Sequence, residues 1–505
     1  MKVKIQNFYG IEINDFAVSV ARTAMWIAES QMWNESQNII YSKDDFLPLD
    51  SNDSIYEGNA LRMNWSDIVK PHMLDYIMGN PPFIGKKEQT KTQKLDLKNV
   101  FDGKSVGTLD YVTGWYKKAA DFIKGTTLKV SFVSTNSISQ GEQVSKLWTL
   151  LQNYGLIINF AYRTFVWNNE AKHKANVHVV IIGFSNVGSD VKEKLIYGED
   201  NVARPAQNIS PYLIDAPSLL ITSKSKPVSD VSPMVYGSMP IDNGHLILNT
   251  AEKRALVSRD KDIERFIRPY YGGREMLHSS LRYCLWMPKA TPSELRNHPA
   301  IMDRINATRE FREQSNRSET IKAAERPFAF GEIRQPTTGK VIVLPKVSSQ
   351  RRQYIPIDYM DSFNIINGSL LMIPNADLYM FGVLNSSVHN TWMRVVAGRM
   401  KSDYQYSARV VYNNFVWPAP NKEAKKRIER TAEDIIAARR LDSSASLADL
   451  YDPDNFKNFE VELHKAHKAN DDAVLKAYGL SPKATEQEII QHLFKMYEKM
   501  TGEKK

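Results

Sequence analysis

The first 190 residues alternate between short apolar runs and longer stretches with helical periodicity. Apolar runs of strand length occupy residues 4–13, 68–78, 128–134, 156–160 and 177–184. Between them, apolar side chains recur at helical spacing in residues 17–27, 110–124 and 144–153. Strands that alternate with helices predict parallel βαβ units. The expected fold class is therefore α/β, with an open, mostly parallel, Rossmann-like sheet.

The segment at residues 85–107 interrupts this alternation. It is polar and contains six lysines, at positions 86, 87, 91, 94, 98 and 104. Because polar segments without hydrophobic periodicity are typical of loops, we predict a mobile loop here.

The pattern changes after about residue 185. Up to about residue 420, prolines are frequent and extended runs are short, which predicts a mixed α/β second domain with basic loops. From residue 422 onward the chain is charged and helical, with helices predicted at residues 424–440, 460–478 and 485–500. We therefore predict a first domain at residues 1–190, a second at 191–420 and a helical C-terminal region at 421–505.

Composition narrows the class of protein. With 42% hydrophobic and 24% charged residues among 505, the chain has the composition of an ordinary globular protein. A formal net charge of +9 fits a polyanionic partner without requiring one. Cys284 is the only cysteine, which excludes an internal disulfide and a cysteine metal cluster and favours a reducing, cytoplasmic setting.

Three kinds of signal are missing from the sequence. No apolar run reaches the roughly 20 residues that span a bilayer, and the N-terminal residues lack the apolar core of a signal peptide. The ten histidines show no metal-ligand spacing. We therefore expect no membrane segment and no metal site.

One short segment carries the most specific chemistry. Asn80, Pro81, Pro82 and Phe83 follow an apolar strand. The side-chain carbonyl of Asn80 and the backbone carbonyl of Pro81 can each accept a hydrogen bond from the exocyclic amine of a nucleobase, which aims the nitrogen lone pair at a methyl donor. Phe83 offers a ring on which an extruded base can stack. The alternative is an ordinary turn, because Asn-Pro and Pro-Pro are common turn formers.

Three more polar segments fall where strands of the predicted sheet end. Glu12 can accept hydrogen bonds from both hydroxyls of a ribose, or it can be a solvated acid that complements a helix dipole. Asn59, in a Gly-Asn-Ala-Leu segment, can bond an adenine edge or lie in a plain loop. Residues 134–137 (Ser-Thr-Asn-Ser) can line the same cleft or cap a helix.

These segments together resemble the S-adenosylmethionine-dependent DNA amino-methyltransferases, specifically the adenine-N6 group with the Asn-Pro-Pro-aromatic signature. Tyr-Gly-Ile-Glu-Ile at residues 9–13, Gly-Asn-Ala-Leu at 58–61 and Asn-Pro-Pro-Phe at 80–83 occur in family order. Residues 110–116 and 133–138 follow in the same family order. Residues 164–171 and 177–184 resemble the type IIL (MmeI-like) branch of restriction–modification enzymes, and residues 347–356 and 412–418 resemble landmarks of its recognition domain. In that branch a target-recognition domain and a helical tail follow the methyltransferase domain.

The resemblance implies S-adenosylmethionine as cofactor and double-stranded DNA as partner. Glu12 and Ile13 would contact the cofactor ribose, and Asn59 and Ala60 its adenine. Asn80 would border both cofactor and target.

The same resemblance implies how the target base is held. Asn80, Pro81, Pro82 and Phe83 would grip the amine and ring of a flipped adenine. Phe165 or Trp167 would cover the other face of that base, with core packing as the alternative explanation for both rings.

One part of the family pattern is missing. The family carries a Phe-x-Gly-x-Gly-type loop after the first strand of the sheet, and only eleven residues precede Glu12 here. The methyltransferase sheet is therefore expected to be incomplete at its N-terminus. The chain is expected to be the C-terminal portion of a longer enzyme, to bind S-adenosylmethionine poorly alone, and to need a partner chain or N-terminal segment that supplies the missing loop.

Basic and aromatic residues alternate between residues 348 and 406. They are Arg351, Arg352, Tyr354, Arg394, Arg399, Lys401, Tyr404 and Tyr406. This interleaving fits contacts to phosphates and base edges, and the alternative is a solvated basic face beside core tyrosines. Lys401 can donate to guanine and Asp403 can accept from cytosine N4, which would specify one G·C position. Arg351, Arg352, Lys401 and Asp403 are the candidate DNA contacts.

Two functions of different class fit the sequence. The first is a site-specific DNA adenine-N6 methyltransferase of a restriction–modification or defence system. The second is a non-catalytic DNA-recognition subunit that needs a partner chain to complete the cofactor site. Methylation of RNA or protein glutamine is disfavoured by the large basic second domain, and cytosine-N4 methylation more often uses serine in place of Asn80. No nuclease motif stands out, so cleavage is not predicted.

Overall fold

The computed structural model describes residues 4–40, 54–103, 107–167, 177–188, 191, 193–458 and 460–502, with only the backbone of residues 37–40. These residues form two compact units, Met1–Leu220 and Ile221–Lys505. None of the helices in these ranges combines the length and the apolar character that crossing a membrane requires.

The first unit contains both strands and helices, and its last four strands follow one another without an α-helix between them in the described residues. Its described strands are β1 (Gly10–Glu12), β2 (Ile55–Glu57), β3 (Tyr76–Gly79), β4 (Lys129–Thr135), β5 (Leu156–Trp167), β6 (Val177–Asn186), β7 (Lys194–Tyr197) and β8 (Ala203–Ala206). Its described α-helices are α1 (Asp15–Ile40), α2 (Lys91–Val100), α3 (Thr113–Phe122) and α4 (Glu142–Asn153).

Two sheets hold these strands. β1 and β2 form a parallel pair, and the other six strands form one sheet in the order β3-β4-β6-β5-β7-β8. The β3–β4 and β5–β7 pairs are parallel, whereas β4–β6, β5–β6 and β7–β8 are antiparallel. The predicted α/β class is confirmed. Pairing is parallel between β3, which leads into residues 80–83, and β4, and it is mixed in the rest of the sheet.

Aromatic packing fixes α3 on this sheet. The Tyr116 ring lies 5.4 Å from the rings of both Phe132 on β4 and Phe184 on β6. Its hydroxyl shares a 2.8 Å hydrogen bond with Ser134, so the one polar atom of this buried ring is satisfied. Helix α3 is thereby held against β4 and β6 in one core.

The prediction of a mobile loop at residues 85–107 is wrong, because α2 lies inside it. Thr90 begins this helix with a reciprocal cap: its hydroxyl accepts from the Gln93 N–H, and the Gln93 side chain accepts from the Thr90 N–H. Leu97 and Val100 are buried on a face that the surrounding lysines obscure in the sequence. Residue 104 lies outside the described residues.

Two predicted strands differ in length from those observed. In the range 4–13 only Gly10–Glu12 is extended, preceded by a 3-10 turn at Ile5–Asn7. The run predicted at residues 156–160 continues to Trp167, because β6 pairs beside it up to that residue. Residues 168–171, part of the segment that carries the family resemblance, lie outside the described residues.

The second unit has many short strands and ends in helices. Its described strands are β9 (Val235–Tyr236), β10 (Ile247–Leu248), β11 (Ile267–Tyr271), β12 (Tyr283–Leu285), β13 (Lys340–Pro345), β14 (Val347–Ser348), β15 (Asp358–Asp361), β16 (Ile365–Ile366), β17 (Leu370–Pro374), β18 (Gly398–Met400) and β19 (Asp403–Gln405). Its described α-helices are α5 (Thr250–Arg259), α6 (Gly273–His278), α7 (Pro292–Arg296), α8 (Pro299–Glu313), α9 (Ser318–Lys322), α10 (Leu378–Leu384), α11 (Ser387–Val396), α12 (Lys422–Arg439), α13 (Leu447–Leu450), α14 (Pro453–Asn458), α15 (Val461–Ala477) and α16 (Glu486–Thr501).

Three small sheets organise the second unit, in the orders β10-β12-β11-β16, β15-β13-β17-β9 and β14-β19-β18. The helices predicted near the C-terminus are confirmed as α12, α15 and α16. They pack on helices of the preceding region, α12 and α15 against α10 and α16 against α11. One buried hydrogen bond, from Asn470 Nδ2 to the Gly382 carbonyl at 2.8 Å, joins α15 to α10.

Candidate functional site

The segment from Asn80 to Phe83 forms an irregular loop directly after β3. The Asn80 side chain is exposed, Pro81 is buried and Phe83 is half-buried. Among the described residues, no group hydrogen-bonds to the Asn80 amide or donates to the Pro81 carbonyl. A side-chain carbonyl and a backbone carbonyl on one short loop are therefore both available as acceptors.

Asp110 anchors the end of this loop. Its carboxylate accepts from the Lys86 N–H at 2.9 Å and from the Ser137 hydroxyl at 2.5 Å, and the side chain is buried. The Thr135 hydroxyl in turn shares a 2.9 Å hydrogen bond with Ser137. A carboxylate that accepts both bonds ties the loop to the end of β4. Sequence reasoning gave Asp110 no role, although it opens one of the segments that carry the family resemblance.

Tyr111 connects two loops that the sequence predicted separately. Its N–H donates to the Ile84 carbonyl at 2.9 Å, and its hydroxyl donates to Asp96 at 3.1 Å. Asp96 also accepts from Asn59 Nδ2 at 3.2 Å. Asn59 is therefore linked through Asp96 and Tyr111 to the end of the loop that carries Asn80. Burial raises the pKa of the Tyr111 hydroxyl, which keeps it a donor.

Asp96 is a second residue that sequence reasoning missed. It lies on α2, is buried, and accepts from Arg62 at 2.8 Å besides its bonds from Asn59 and Tyr111. A buried carboxylate with three donors organises the region beneath the loops. The signal that could have found it is the i, i+3, i+4 spacing of the apolar residues Leu97, Val100 and Phe101 just after it, which indicates a helix.

The predicted cofactor residues lie at the carboxyl ends of β1 and β2. The Gly58 N–H donates to the Glu12 carbonyl at 2.8 Å, which brings the ends of the two strands together. One carboxylate oxygen of half-buried Glu12 accepts from the Asn14 N–H at 3.1 Å. Ile13 is 68% exposed, and Ala60 is half-buried.

Asn59 uses part of its hydrogen-bonding capacity within the protein. Its side-chain carbonyl accepts from the Leu61 N–H at 2.9 Å, and its side-chain amide N–H donates to Asp96. The side-chain oxygen of a carboxamide has two acceptor sites, so one acceptor site remains.

Phe165 and Trp167 lie on the same face at the end of β5. Both are half-buried, and their ring centroids are 6.4 Å apart with a tilt of 45°. Neither ring is enclosed in the core, so core packing alone does not account for them.

In the second unit, two distant segments that predicted DNA contacts join in one sheet. β19 pairs with β14 on one side and with β18 on the other. Lys401 and Ser402 form the turn between β18 and β19, and Lys401 has a left-handed backbone with φ of 58°. The Lys401 side chain is exposed, and half-buried Asp403 accepts from the Gln350 N–H at 3.4 Å.

The arginines and tyrosines of these segments differ in how deeply they are buried. Tyr354, Tyr404 and Tyr406 are buried, so they follow the core interpretation. Arg351 is exposed and Arg352 half-buried on the loop after β14. Arg399 stacks on the Tyr404 ring at 4.1 Å and donates to the Ser402 carbonyl at 2.8 Å, which stiffens the hairpin.

A buried histidine supports this hairpin from below. His389 on α11 bonds the Leu384 carbonyl through Nδ1 and the Tyr406 hydroxyl through Nε2, both at 2.9 Å. Burial lowers the pKa of this imidazole to about 4, so it is neutral near pH 7. Within the described ranges, no cluster of three or more His, Cys, Asp or Glu side chains could hold a metal ion.

Three family models match the chain in succession. Residues 1–198 match the model described as MmeI, DNA-methyltransferase domain. Residues 215–419 match MmeI, target recognition domain, and residues 419–503 match MmeI, C-terminal domain.

A curated relative and a solved structure extend along nearly the whole chain. The relative, "DNA methyltransferase A" of Bacillus subtilis (strain 168), is 37% identical over 503 residues, which are 99% of this chain and 56% of the relative. The solved structure is the type IIL restriction–modification enzyme MmeI in complex with DNA. It is 40% identical with a TM-score of 0.84, over 99% of this chain and 67% of that one. The chain thus spans little more than half the length of the curated relative.

Proposed function

Because the chain belongs to the MmeI family of type IIL restriction–modification enzymes, we propose that it provides the modification function of such an enzyme. The proposed reaction is site-specific transfer of a methyl group from S-adenosylmethionine to N6 of an adenine flipped out of double-stranded DNA. The activity belongs to the enzyme of which this chain carries the methyltransferase, recognition and C-terminal domains.

One observation carries the proposal: two unused acceptors lie on an anchored loop. The Asn80 amide and the Pro81 carbonyl make no hydrogen bond within the described residues, while Asp110 and Tyr111 fix the end of the same loop. An ordinary turn has no need of such anchoring. An exocyclic amine has two N–H groups, and two preorganised acceptors can bind both of them.

The chain's own residues then perform positioning and electrostatics. The Asn80 and Pro81 carbonyls accept from the amine and orient its nitrogen lone pair toward the methyl donor. Phe83 and one of the rings of Phe165 and Trp167 stack on the two faces of the extruded base. Base stacking on aromatic rings contributes about 1–3 kcal/mol per base, which offsets the cost of extrusion.

The residues at the ends of β1 and β2 fit part of a nucleoside cofactor. Glu12 keeps one carboxylate oxygen without a partner among the described residues, suited to ribose hydroxyls, and Ile13 exposes an apolar surface beside it. Asn59 and Ala60 would contact the adenine, with the acceptor site that the Asn59 side chain retains. S-adenosylmethionine supplies the methyl group when it is bound.

We propose that the β18–β19 hairpin reads one G·C pair. Lys401 at the exposed turn donates to guanine O6 or N7, and Asp403 accepts from cytosine N4. Exchanging the two residues in an active enzyme should change one position of the methylated sequence, because a wrong base costs about 1–3 kcal/mol. Sequencing that detects methylated adenines measures this, and an unchanged motif counts against the assignment.

The experiment that tests the reaction is product analysis after methyl transfer. Unmethylated DNA is incubated with S-adenosylmethionine and the chain, with and without a segment that supplies the glycine-rich loop, and its nucleosides are separated by mass. N6-methyladenine is the expected product. N4-methylcytosine in place of N6-methyladenine would overturn the assignment of adenine, and so would DNA that stays unmethylated when the loop-bearing segment is supplied.

A second candidate function is a recognition subunit that depends on a partner chain. What favours it is the open edge of β3, which pairs only with β4 in the part described, and its exposed Tyr76 and Met78. Titration calorimetry tests the dependence on a partner chain. Micromolar binding of S-adenosylmethionine to the chain alone contradicts this dependence, and binding only after the loop-bearing segment is added supports it.

A further inference from the structure

A cavity of about 370 Å³ lies where the recognition region meets the C-terminal helices. The loop after β14 contributes Arg351, Arg352 and Tyr354 to its lining, and α11 contributes Arg394. The C-terminal region contributes Lys457 of α14 and Glu486 of α16. Four of these six side chains are cationic, and one is anionic.

Two of the four cations already have partners. Arg394 forms a 2.5 Å ion pair with Glu486, and Arg351 lies 3.5 Å from the exposed carboxylate of Asp454. Arg352 and Lys457, by contrast, donate no side-chain hydrogen bond and form no ion pair within the described residues. Two cations that line the cavity are therefore without a direct ion-pair partner in the described residues.

Arg352 is the more telling of these two cations. Its side chain is half-buried, and burial lowers the pKa of its guanidinium even though Asp452 and Asp403 act in the opposite direction. A partly desolvated guanidinium without a hydrogen-bond acceptor is unfavourable. An anion with several oxygens would remove that cost, since the guanidinium fork fits phosphate geometry.

The floor of the cavity is rigid. The Tyr354 hydroxyl donates to Asp471 at 2.7 Å, and the other Asp471 oxygen accepts from the Ser387 N–H at 2.6 Å. The Tyr354 ring also stacks on buried His467 at 4.2 Å. This preorganised floor fixes Tyr354, two positions after Arg352, so ligand binding need not order this part of the loop.

The cavity is continuous with the hairpin that carries Lys401. Gln350 lines the cavity, and its N–H donates to Asp403 while its side chain accepts from Arg399 at 3.1 Å. A phosphate held here would lie next to the segment proposed to read bases. Phosphate contacts fix the register in which neighbouring side chains meet base edges.

We propose that this cavity binds a phosphodiester group of the DNA backbone through Arg352 and Lys457, so that the helical C-terminal region takes part in holding DNA. The proposal rests on the proposed function, because it takes DNA as the partner. It assigns Arg352 to a phosphate and leaves sequence reading to the β18–β19 hairpin.

The test measures DNA binding of the full chain as a function of salt. Duplexes of several unrelated sequences are titrated at salt concentrations from about 50 to about 200 mM with the native chain and with the double variant Arg352→Gln/Lys457→Gln. Loss of one charge-assisted phosphate contact should weaken binding about tenfold, equally for all sequences. The slope of log K against log salt should become shallower by about 0.9.

Two control variants keep the result interpretable. Lys426→Gln removes an exposed charge of α12 outside the cavity and should leave the slope nearer to that of the native chain. Arg352→Lys keeps the charge and should retain the native slope with weaker binding, because lysine lacks the guanidinium fork. Thermal unfolding checks that every variant folds as the native chain does.

Several outcomes would overturn the proposal. One is a double variant with native affinity and slope, and another is weakening confined to particular sequences, which would indicate base reading. In a third outcome, inorganic phosphate binds the native chain but not the double variant, while both proteins bind DNA equally well. This result would indicate a site for free anions. These outcomes leave the proposed methyl transfer untouched, whereas a native chain that binds no duplex at all contradicts both.

Discussion

Two strands, β3 and β13, are both mostly apolar in sequence but have different surroundings. β13 pairs with β15 on one edge and β17 on the other, and all of its residues after Lys340 are buried. β3 pairs only with β4 within the described residues, and its Tyr76 and Met78 are 65% and 80% exposed. The strand that positions the candidate catalytic loop is thus the less enclosed of the two. Its loop is held instead by the Asp110 carboxylate, which accepts from the Lys86 N–H, and by the Tyr111 N–H, which donates to the Ile84 carbonyl.

The largest effect is expected where the loop meets substrate. In an active enzyme, Asn80→Ala should lower the rate of methyl transfer by about 10²–10³-fold, the usual cost of losing one preorganised hydrogen-bonding group at a reacting atom. Because the Asn80 side chain is exposed and unbonded, thermal stability should stay unchanged. Single-turnover kinetics measures the rate. Asn99→Ala, at an exposed position on α2, is the matched control, and equal rates for both variants would contradict the assignment.

The stability of the second unit should depend on pH through Asp471 on α15. Burial raises the pKa of Asp471 from 3.8 to about 6. A carboxyl with a raised pKa in the folded state binds more protons when folded, so its contribution is fully present below pH 3.8 and is lost as the pH rises through about 6. Relative to Asp471→Asn, the native chain should lose about 3 kcal/mol of unfolding free energy over this range. Denaturant unfolding of both proteins at several pH values measures this loss. If the unfolding free energies of the native chain and of Asp471→Asn change with pH in the same way, the raised pKa is refuted.

The anchor of the loop should matter for stability and for rate. Asp110→Ala leaves the Lys86 N–H and the Ser137 hydroxyl without their acceptor, which should cost about 1–3 kcal/mol of unfolding free energy. Asp110→Asn retains one acceptor oxygen and should cost less. If the anchor positions the loop, both variants should lower the methyl-transfer rate in the order in which they destabilise. A native methyl-transfer rate in Asp110→Ala would mean that the loop keeps its shape without the Asp110 carboxylate.

The smallest effect on stability is expected at the open edge of β3. Met78→Ala should change the unfolding free energy by less than about 0.5 kcal/mol, since the side chain is exposed. Leu344→Ala in β13 is the matched comparison and should cost about 2–5 kcal/mol, because that side chain is fully buried. Chemical denaturation of both variants measures the difference. A large cost for Met78→Ala would show that the edge of β3 is covered in solution.

Local patterns in the sequence predicted most of the regular elements. The strands β4 and β6 and the helices α3, α4, α12, α15 and α16 have long or strongly periodic apolar patterns, and all were found. Helix α2 was missed because its lysines hide a short apolar face and because its start depends on the cap between Thr90 and Gln93. The domain boundaries at residues 190 and 420 and the roles of the individual site residues stay predictions.

The sequence by itself determined which chemical groups are available: the amide and proline carbonyl of residues 80 and 81, the carboxylate of Glu12, and the lysine and aspartate of the hairpin. Only the tertiary structure decided that Asp110 and Tyr111 hold the loop, and that residues 347–352 and 398–405 form one surface. It also decided that the neighbouring tyrosines belong to the core. The physical reason is that residue types and short-range periodicity are written locally, whereas burial and hydrogen-bond partners depend on segments far apart in the chain.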